Sequence, residues 1–172
     1  MSNDFWQDKS VLITGGTGSL GQALASKLLT YPTKKVIVYS RGELRQFEMR
    51  QKFNDSRLRY FIGDVRDKNR LTLAFGEVDA VIHTAALKRV EVGEYNPAEV
   101  LKTNVIGSQN VIEAAIGACV PAVIGISSDK AVAPLNLYGM SKGFLEKLFT
   151  GSSVYSSRTK FACVRYGNVI GS

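Results

Sequence analysis

The chain has 172 residues, 45% hydrophobic and 22% charged, which is the balance of an ordinary soluble globular protein with enough length for one sizeable core. No apolar run approaches the ~20 residues that span a bilayer, and the polar start MSNDFWQDKS lacks a signal-peptide core, so a cytoplasmic protein with no membrane partner is expected. The net charge of +7 invites anionic partners; no aromatic-basic module marks nucleic acid, so phosphorylated small molecules are the better expectation.

In chain order, Val11-Leu12-Ile13 is a short apolar run that ends in the glycine turn Thr14-Gly15-Gly16-Thr17-Gly18-Ser19-Leu20-Gly21. Leu20, Leu24 and Leu28 then repeat at helical spacing, with Ala23 filling in, and Pro32 closes the unit. Residues 36–39 read as a second strand, and 43–53 as an amphipathic helix carried by Leu44, Phe47 and Phe53. A third strand over 58–62 ends at Gly63-Asp64, with a short helix over 67–75. Residues 80–83 form a fourth strand, and 97–117 one long helix through Val100, Leu101, Val105, Val111, Ile112 and Ala115. A fifth strand over 122–127, a helix from about 137 to 149 and a sixth strand over 161–165 complete the pattern. Strands alternating with helices, each strand continuously apolar, predict a parallel sheet covered on both faces. With right-handed crossovers this is the α/β class, a doubly wound Rossmann sheet of order 3-2-1-4-5-6, as one domain over 1–172.

Gly15, Gly18 and Gly21, placed between the first strand and the first helix, suit a backbone that must approach a pyrophosphate beside a helix N-terminus. Where the second strand ends, a dinucleotide site often carries an acid for the ribose hydroxyls; here Tyr39-Ser40-Arg41 stands there, with Arg45 one turn on. Arg41 can pair with a 2′-phosphate, which favours NADP over NAD, or can be a surface residue. Asp64-Val65 can meet an adenine ring, or Asp64 can cap a helix. Thr84-Ala85-Ala86-Leu87-Lys88 follows the fourth strand, with Lys88 free to face nicotinamide or substrate, and His83 reads as a packed strand end. Ser128, Asp129 and Lys130 follow the fifth strand, and Tyr138 and Lys142 stand four apart on one helical face. A cation beside Tyr138 would lower its hydroxyl from about 10 toward neutrality and make it a general base. His83 is the only histidine and Cys119 and Cys163 lie far apart, so no metal is expected and the thiols should be free and buried.

Together the GxxGxxG turn, Asp64, Ala85-Ala86 and Tyr138-x-x-x-Lys142 resemble the extended short-chain dehydrogenase/reductase family. The chain is more similar still to its inverting nucleotide-sugar 4,6-dehydratases, which act on UDP-N-acetylglucosamine with tightly held NADP. The segments VYSRGELRQ, FIGDVRD, AALKRV, EYNPAEVLKTNV, SSDKAVAPLNLYGMSK and VRYGNVIGS carry that likeness. The resemblance implies cofactor contacts from Gly15, Thr17, Gly18, Ser19, Leu20 and Gly21. It implies further ones from Ser40, Arg41, Arg45, Asp64, Val65, Ala85, Ala86, Lys88, Tyr138 and Lys142. Lys88 and Asn168 would touch the substrate, a UDP-sugar. Tyr138 would be the C4 base, supported by Lys142, with Ser128 orienting the sugar. Lys130, kept neutral by burial, would take the C5 proton, and Asp129, with a raised carboxyl pKa, would protonate the departing C6 hydroxyl. Inverting members typically carry Thr-Asp-Lys after strand five, retaining dehydratases Thr-Asp-Glu, and 4-epimerases lack acid-base residues there; Ser128-Asp129-Lys130 fits the first group. Arg89 stands where close relatives often have histidine. The family is about twice as long and builds its substrate domain from the second half. This chain is therefore expected to be the cofactor half, a homo-oligomer in surface polysaccharide or glycan synthesis, inactive by itself. A non-catalytic NADP-binding module and an epimerase or reductase are the alternatives.

Overall fold

The computed structural model describes residues 3–168. Met1, Ser2 and residues 169–172, the end of the segment VRYGNVIGS, lie outside the described residues. Six parallel strands form one sheet: β1 (Ser10–Thr14), β2 (Lys35–Ser40), β3 (Leu58–Ile62), β4 (Ala80–His83), β5 (Ala122–Ser128) and β6 (Lys160–Tyr166). Their spatial order is β3-β2-β1-β4-β5-β6, the order expected of a doubly wound Rossmann sheet. Alternation along β1 explains the two-sided core. Leu12 faces one cluster with Val81, Val111, Val123, Leu145 and Phe149; Val11 and Ile13 face the other with Val36, Val38, Ala25 and Met49. The first cluster is closed by α3 (Lys68–Ala74), α6 (Gly107–Gly117) and α7 (Leu137–Ser152), the second by α1 (Ser19–Leu29) and α2 (Glu43–Phe53).

Five expectations need correction. The helix over 43–53 forms, but Leu44 and Phe47 are exposed, because Gln46 and Met49 are the buried residues of α2. Gln46 Nε2 reaches Ser40 O, Ser40 Oγ and Phe61 O, and those bonds turn a polar side chain inward. The region 97–117 is not one regular helix. After a short α4 (Val90–Tyr95) it runs through α5 (Pro97–Val100), a π-helical stretch (Leu101–Ile106) and α6. The wider π turn rotates the facing pattern, so Leu101 is exposed while Thr103 and Asn104 are buried. In α1 the buried stripe is Gly21, Ala25 and Leu28, and Ala23 is exposed. Finally, Ala162 and Val164 on the edge strand β6 are exposed, and Cys119 sits exposed in the turn after α6; both cysteines are free, as expected, but only Cys163 is partly covered.

Candidate active site

The C-terminal edge of the sheet opens into a cleft of ≈ 1260 Å³. That exceeds the ~300–1,000 Å³ of a common small-molecule pocket and suits a ligand of two linked nucleotides. Fourteen side chains or backbones expected to hold a cofactor line it: Gly15, Thr17, Gly18, Ser19, Leu20 and Gly21 from the turn, Ser40, Arg41 and Arg45 past β2, Asp64 and Val65 past β3, and Ala85, Ala86 and Lys88 past β4. Gly15 has φ +67°, and a Cβ there would meet the Ala85 backbone at 2.8 Å, so the turn packs directly on the β4 loop. The N-cap of α1 is Gly18, with no side-chain cap, and the turn that opens α1 lines the cleft. The walls carry Arg41, Arg45, Lys52, Lys88 and Arg89 against Glu48 and Asp64. Uncapped helical amides plus a cationic wall are the donor set that a dinucleotide pyrophosphate needs, so the residues present fit such a group.

Asp64 does not cap α3; Asp67 does, accepting from Arg70 N. Asp64 instead accepts from Arg66 N at 3.0 Å, Nε at 2.9 Å and Nη2 at 2.7 Å, and Arg41 Nη1 lies 3.5 Å away. Burial works to raise its carboxyl pKa, but the Arg66 bonds and the Arg41 charge outweigh it and hold it below the usual range. The backbone at Asp64 is pinned by Tyr39, whose hydroxyl donates to Asp64 O at 2.9 Å. Gly63 makes that possible, since a Cβ there would overlap the Tyr39 ring.

Behind the β4 loop lies a polar chain that sequence reasoning missed. Asn104, 1% exposed, donates to Leu87 O at 3.0 Å and Ser141 Oγ at 2.9 Å, and accepts from Leu87 N at 2.8 Å. Ser141 Oγ donates onward to Tyr138 O at 2.7 Å. The side chain thus ties the β4 loop to the first turn of α7. His83 is fully buried, with Nδ1 2.7 Å from Thr14 Oγ1 and Nε2 3.0 Å from Ser108 Oγ; it packs, as expected, and lies flat against Phe149. Tyr39, Lys52, Gly63, Thr103 and Tyr166 also line the cleft without having been singled out. Lys52 was the readable one, because Arg45, Glu48 and Lys52 recur at helical spacing along α2. Thr103 Oγ1 is buried with no hydrogen-bond partner.

Ser128, Asp129, Lys130, Tyr138 and Lys142 do not line this cleft; they gather beside it, next to Tyr166, which does. Ser128 Oγ donates to Asp129 Oδ1 at 2.8 Å, and Lys130 Nζ lies 3.4 Å from Asp129 Oδ1 and 3.1 Å from Asn168 Oδ1. Asn136 caps α7 by accepting from Gly139 N, which sets Tyr138 in the first turn. Lys142 is 3% exposed and its Nζ donates to Ile126 O at 2.7 Å.

The proton affinities differ from those expected. Burial, and then Tyr166, push the Tyr138 hydroxyl up to about 12 rather than down. Lys142 stands 6.0 Å from the Tyr138 ring centroid, and burial pushes it down to about 8. The Asp129 carboxyl is held below the usual range, chiefly by the Ser128 hydroxyl and with help from Lys130, instead of being raised. Lys130 is not buried; its side chain is 39% exposed.

The family described as "Polysaccharide biosynthesis protein" matches residues 11–172. The inverting UDP-N-acetylglucosamine 4,6-dehydratase of Campylobacter jejuni (strain 81-176) is 52% identical over 167 residues, which cover 95% of this chain and 50% of that protein. The UDP-glucose 4-epimerase of Rickettsia felis is 43% identical over 171 residues, covering 96% and 50%. The X-ray structure of Pen from Bacillus thuringiensis has a TM-score of 0.94 at 45% identity, covering 97% of this chain and 52% of that one. The dTDP-glucose 4,6-dehydratase of Streptomyces venezuelae, solved with NAD bound, has a TM-score of 0.82 at 26% identity, covering 91% and 55%. The chain spans about half the length of the curated relatives it matches.

Proposed function

Because the chain belongs to the polysaccharide biosynthesis protein family, we propose that it is the cofactor-holding part of a C5-inverting UDP-N-acetylglucosamine 4,6-dehydratase that uses NADP. It would serve surface polysaccharide or glycan synthesis in the cytoplasm, as a homo-oligomer. The observation that carries this reading is Ser128-Asp129-Lys130 at the end of β5, gathered with Tyr138 beside the cleft. No helix among the described residues is long and apolar enough to cross a membrane, and no group of three or more metal-ligating residues occurs among them.

A bound nicotinamide ring would take hydride from C4 of the sugar and later return it at C6. The rest falls to this chain. Tyr138 accepts the C4 hydroxyl proton, leaving a ketone that acidifies the C5 proton. Lys130 removes that proton, Asp129 protonates the C6 hydroxyl as it departs as water, and a solvent-derived proton delivered to the opposite face of C5 inverts that centre. Ser128 orients the sugar oxygen at C4. The tuning these steps need runs against what burial imposes on Tyr138 and what Ser128 imposes on Asp129. We assign the difference to the bound ligands: a cationic ring lowers a neighbouring hydroxyl, and a sugar that excludes water raises a carboxyl.

The test uses the full-length protein that contains these residues. Lys130→Ala should abolish deuterium uptake at C5 from heavy water and abolish dehydration, while Tyr138→Phe should suppress the first oxidation. A Lys130→Ala protein that exchanges C5 and dehydrates at the parent rate removes the assignment. The 43% identity to an epimerase favours a second reading, UDP-sugar 4-epimerisation. That reading predicts a product that keeps its C6 hydroxyl and a turnover indifferent to Asp129→Asn and Lys130→Ala.

A further inference from the structure

The charged groups past β3 form a ladder. Lys102 Nζ lies 2.9 Å from Glu99 Oε1, Glu99 Oε2 lies 2.8 Å from Arg66 Nη1, Arg66 Nη2 lies 2.7 Å from Asp64 Oδ2, and Arg41 Nη1 lies 3.5 Å from that same oxygen. One carboxylate therefore serves two guanidinium groups unequally. Arg66 takes the short, forked bonds through Nε and Nη2, and Arg41 takes the long, loose contact. Arg41 remains 54% exposed at its side chain and lines the cleft, whereas Asp64 is 22% exposed and is held in place through Tyr39. The ladder thus has a fixed anion beside a cation that is free to turn toward a ligand.

We propose that Asp64, not Arg41 alone, sets the choice between the 2′-phosphate and 2′-hydroxyl forms of the dinucleotide, and that Arg66 tunes the choice by drawing Asp64 charge away from Arg41. The proposal rests on the reading of the cleft as a dinucleotide site. A carboxylate paired with Arg41 competes with a 2′-phosphate for the guanidinium. A ribose hydroxyl does not feel that competition. Arg66 holds down that competition, because a carboxylate already engaged by a forked bond attracts a second cation less. Glu99 orients Arg66 for this and Lys102 balances Glu99, so the chain of charges reaches from α5 to the ribose end of the cleft. Asp64 and Arg66 are positioning residues for Arg41 in this account.

The experiment is calorimetric titration of the folded chain with NADP and with NAD, each in low and high salt. The quantity read is the ratio of the two dissociation constants, in which any contact common to both ligands cancels. Asp64→Asn should move the ratio toward NADP by about three- to fivefold, and Arg66→Gln should move it toward NAD by a similar factor, the size that partly exposed ion pairs support. Both shifts should shrink in high salt. In the Asp64→Asn background, Arg66→Gln should lose at least half of its effect, since Arg66 acts through Asp64. In the Arg41→Ala background, Asp64→Asn should likewise lose most of its effect. A general loss of structure would weaken both ligands together and leave the ratio in place. Should Asp64→Asn not fold, Arg66→Gln and Arg66→Lys on the more exposed partner carry the test. A parent chain that binds neither dinucleotide refutes the cleft assignment itself and the proposal with it. A parent that binds, with a ratio that both variants move by less than about twofold or that Arg66→Gln moves equally with and without Asp64, overturns the proposal alone.

Discussion

Acid should remove a defined part of this fold's stability through one side chain, His83. Its ring is fully buried between Thr14 and Ser108. The Ser108 hydroxyl donates to Asn104 O, so Ser108 Oγ accepts from Nε2–H, and Nδ1 accepts from the Thr14 hydroxyl. Both ring nitrogens are satisfied in the neutral form, and a proton added at Nδ1 would face a donor. Burial first, and the Lys142 charge second, depress the pKa from 6.5 to about 3. The unfolded chain therefore binds a proton that the folded chain refuses. The contribution of His83 is complete above about pH 6.5 and drains away as the pH falls toward about 3, at ~1.4 kcal/mol for each pH unit and ~5 kcal/mol in all. Urea unfolding of the parent and His83→Gln between pH 7.5 and 4 measures it, since glutamine offers a donor and an acceptor but does not titrate. Carboxylates with native partners, such as Asp64 and Glu146, also lose stability in acid, but in both chains alike, so the difference isolates the histidine. The parent's advantage should shrink by about 2 kcal/mol between pH 6 and pH 4.5. A difference that stays level over that interval, to within ~0.5 kcal/mol, refutes the reasoning.

Arg41→Ala should remove most of the preference for NADP over NAD, about 1.5–3 kcal/mol for one charge-assisted pair, read as the ratio of dissociation constants from calorimetry; equal ratios in parent and variant would contradict the assignment. Gly63→Ala forces a methyl group into the Tyr39 ring, which is itself fully buried, and should cost at least ~2 kcal/mol in the urea midpoint. Asn104→Ala leaves Leu87 N–H and C=O without their partners and should cost ~2–4 kcal/mol, with faster amide exchange at Leu87 as the local sign.

Much of the architecture was legible because it depends on near neighbours. Val11-Leu12-Ile13, Val36–Tyr39 and Ala80–Ile82 are short apolar runs of the kind buried parallel strands use, and their alternation with helices points to a doubly wound sheet, for which 3-2-1-4-5-6 is a common order. The cleft residues were legible for the same reason: the turn at Gly15–Gly21, and the first residues past β2, β3 and β4, must meet at the C-terminal edge of such a sheet. The inward face of α2 was not legible, because Gln46 is buried by bonds to Ser40 and Phe61, and Phe61 lies fifteen positions away. The π-helical turn was equally hidden, and with it the burial of Asn104 against Leu87 and Ser141.

Residue identities alone settled which chemical groups reach the C-terminal edge of the sheet: a tyrosine and lysine four apart, a carboxylate beside a lysine, and arginine where an acid is common. Only the tertiary structure decided how tightly those groups hold their protons and partners. Tyr138 is raised because β6 brings Tyr166 beside a ring that the fold buries, and Asp129 is lowered because the end of β5 turns Ser128 toward it. Asp64 is shared between Arg66 and Arg41 because Tyr39, from the neighbouring strand, fixes its backbone between them. Residue type sets a group's reference affinity, but its shift is an energy of burial and distance, and those distances exist only once elements remote in the chain have packed together.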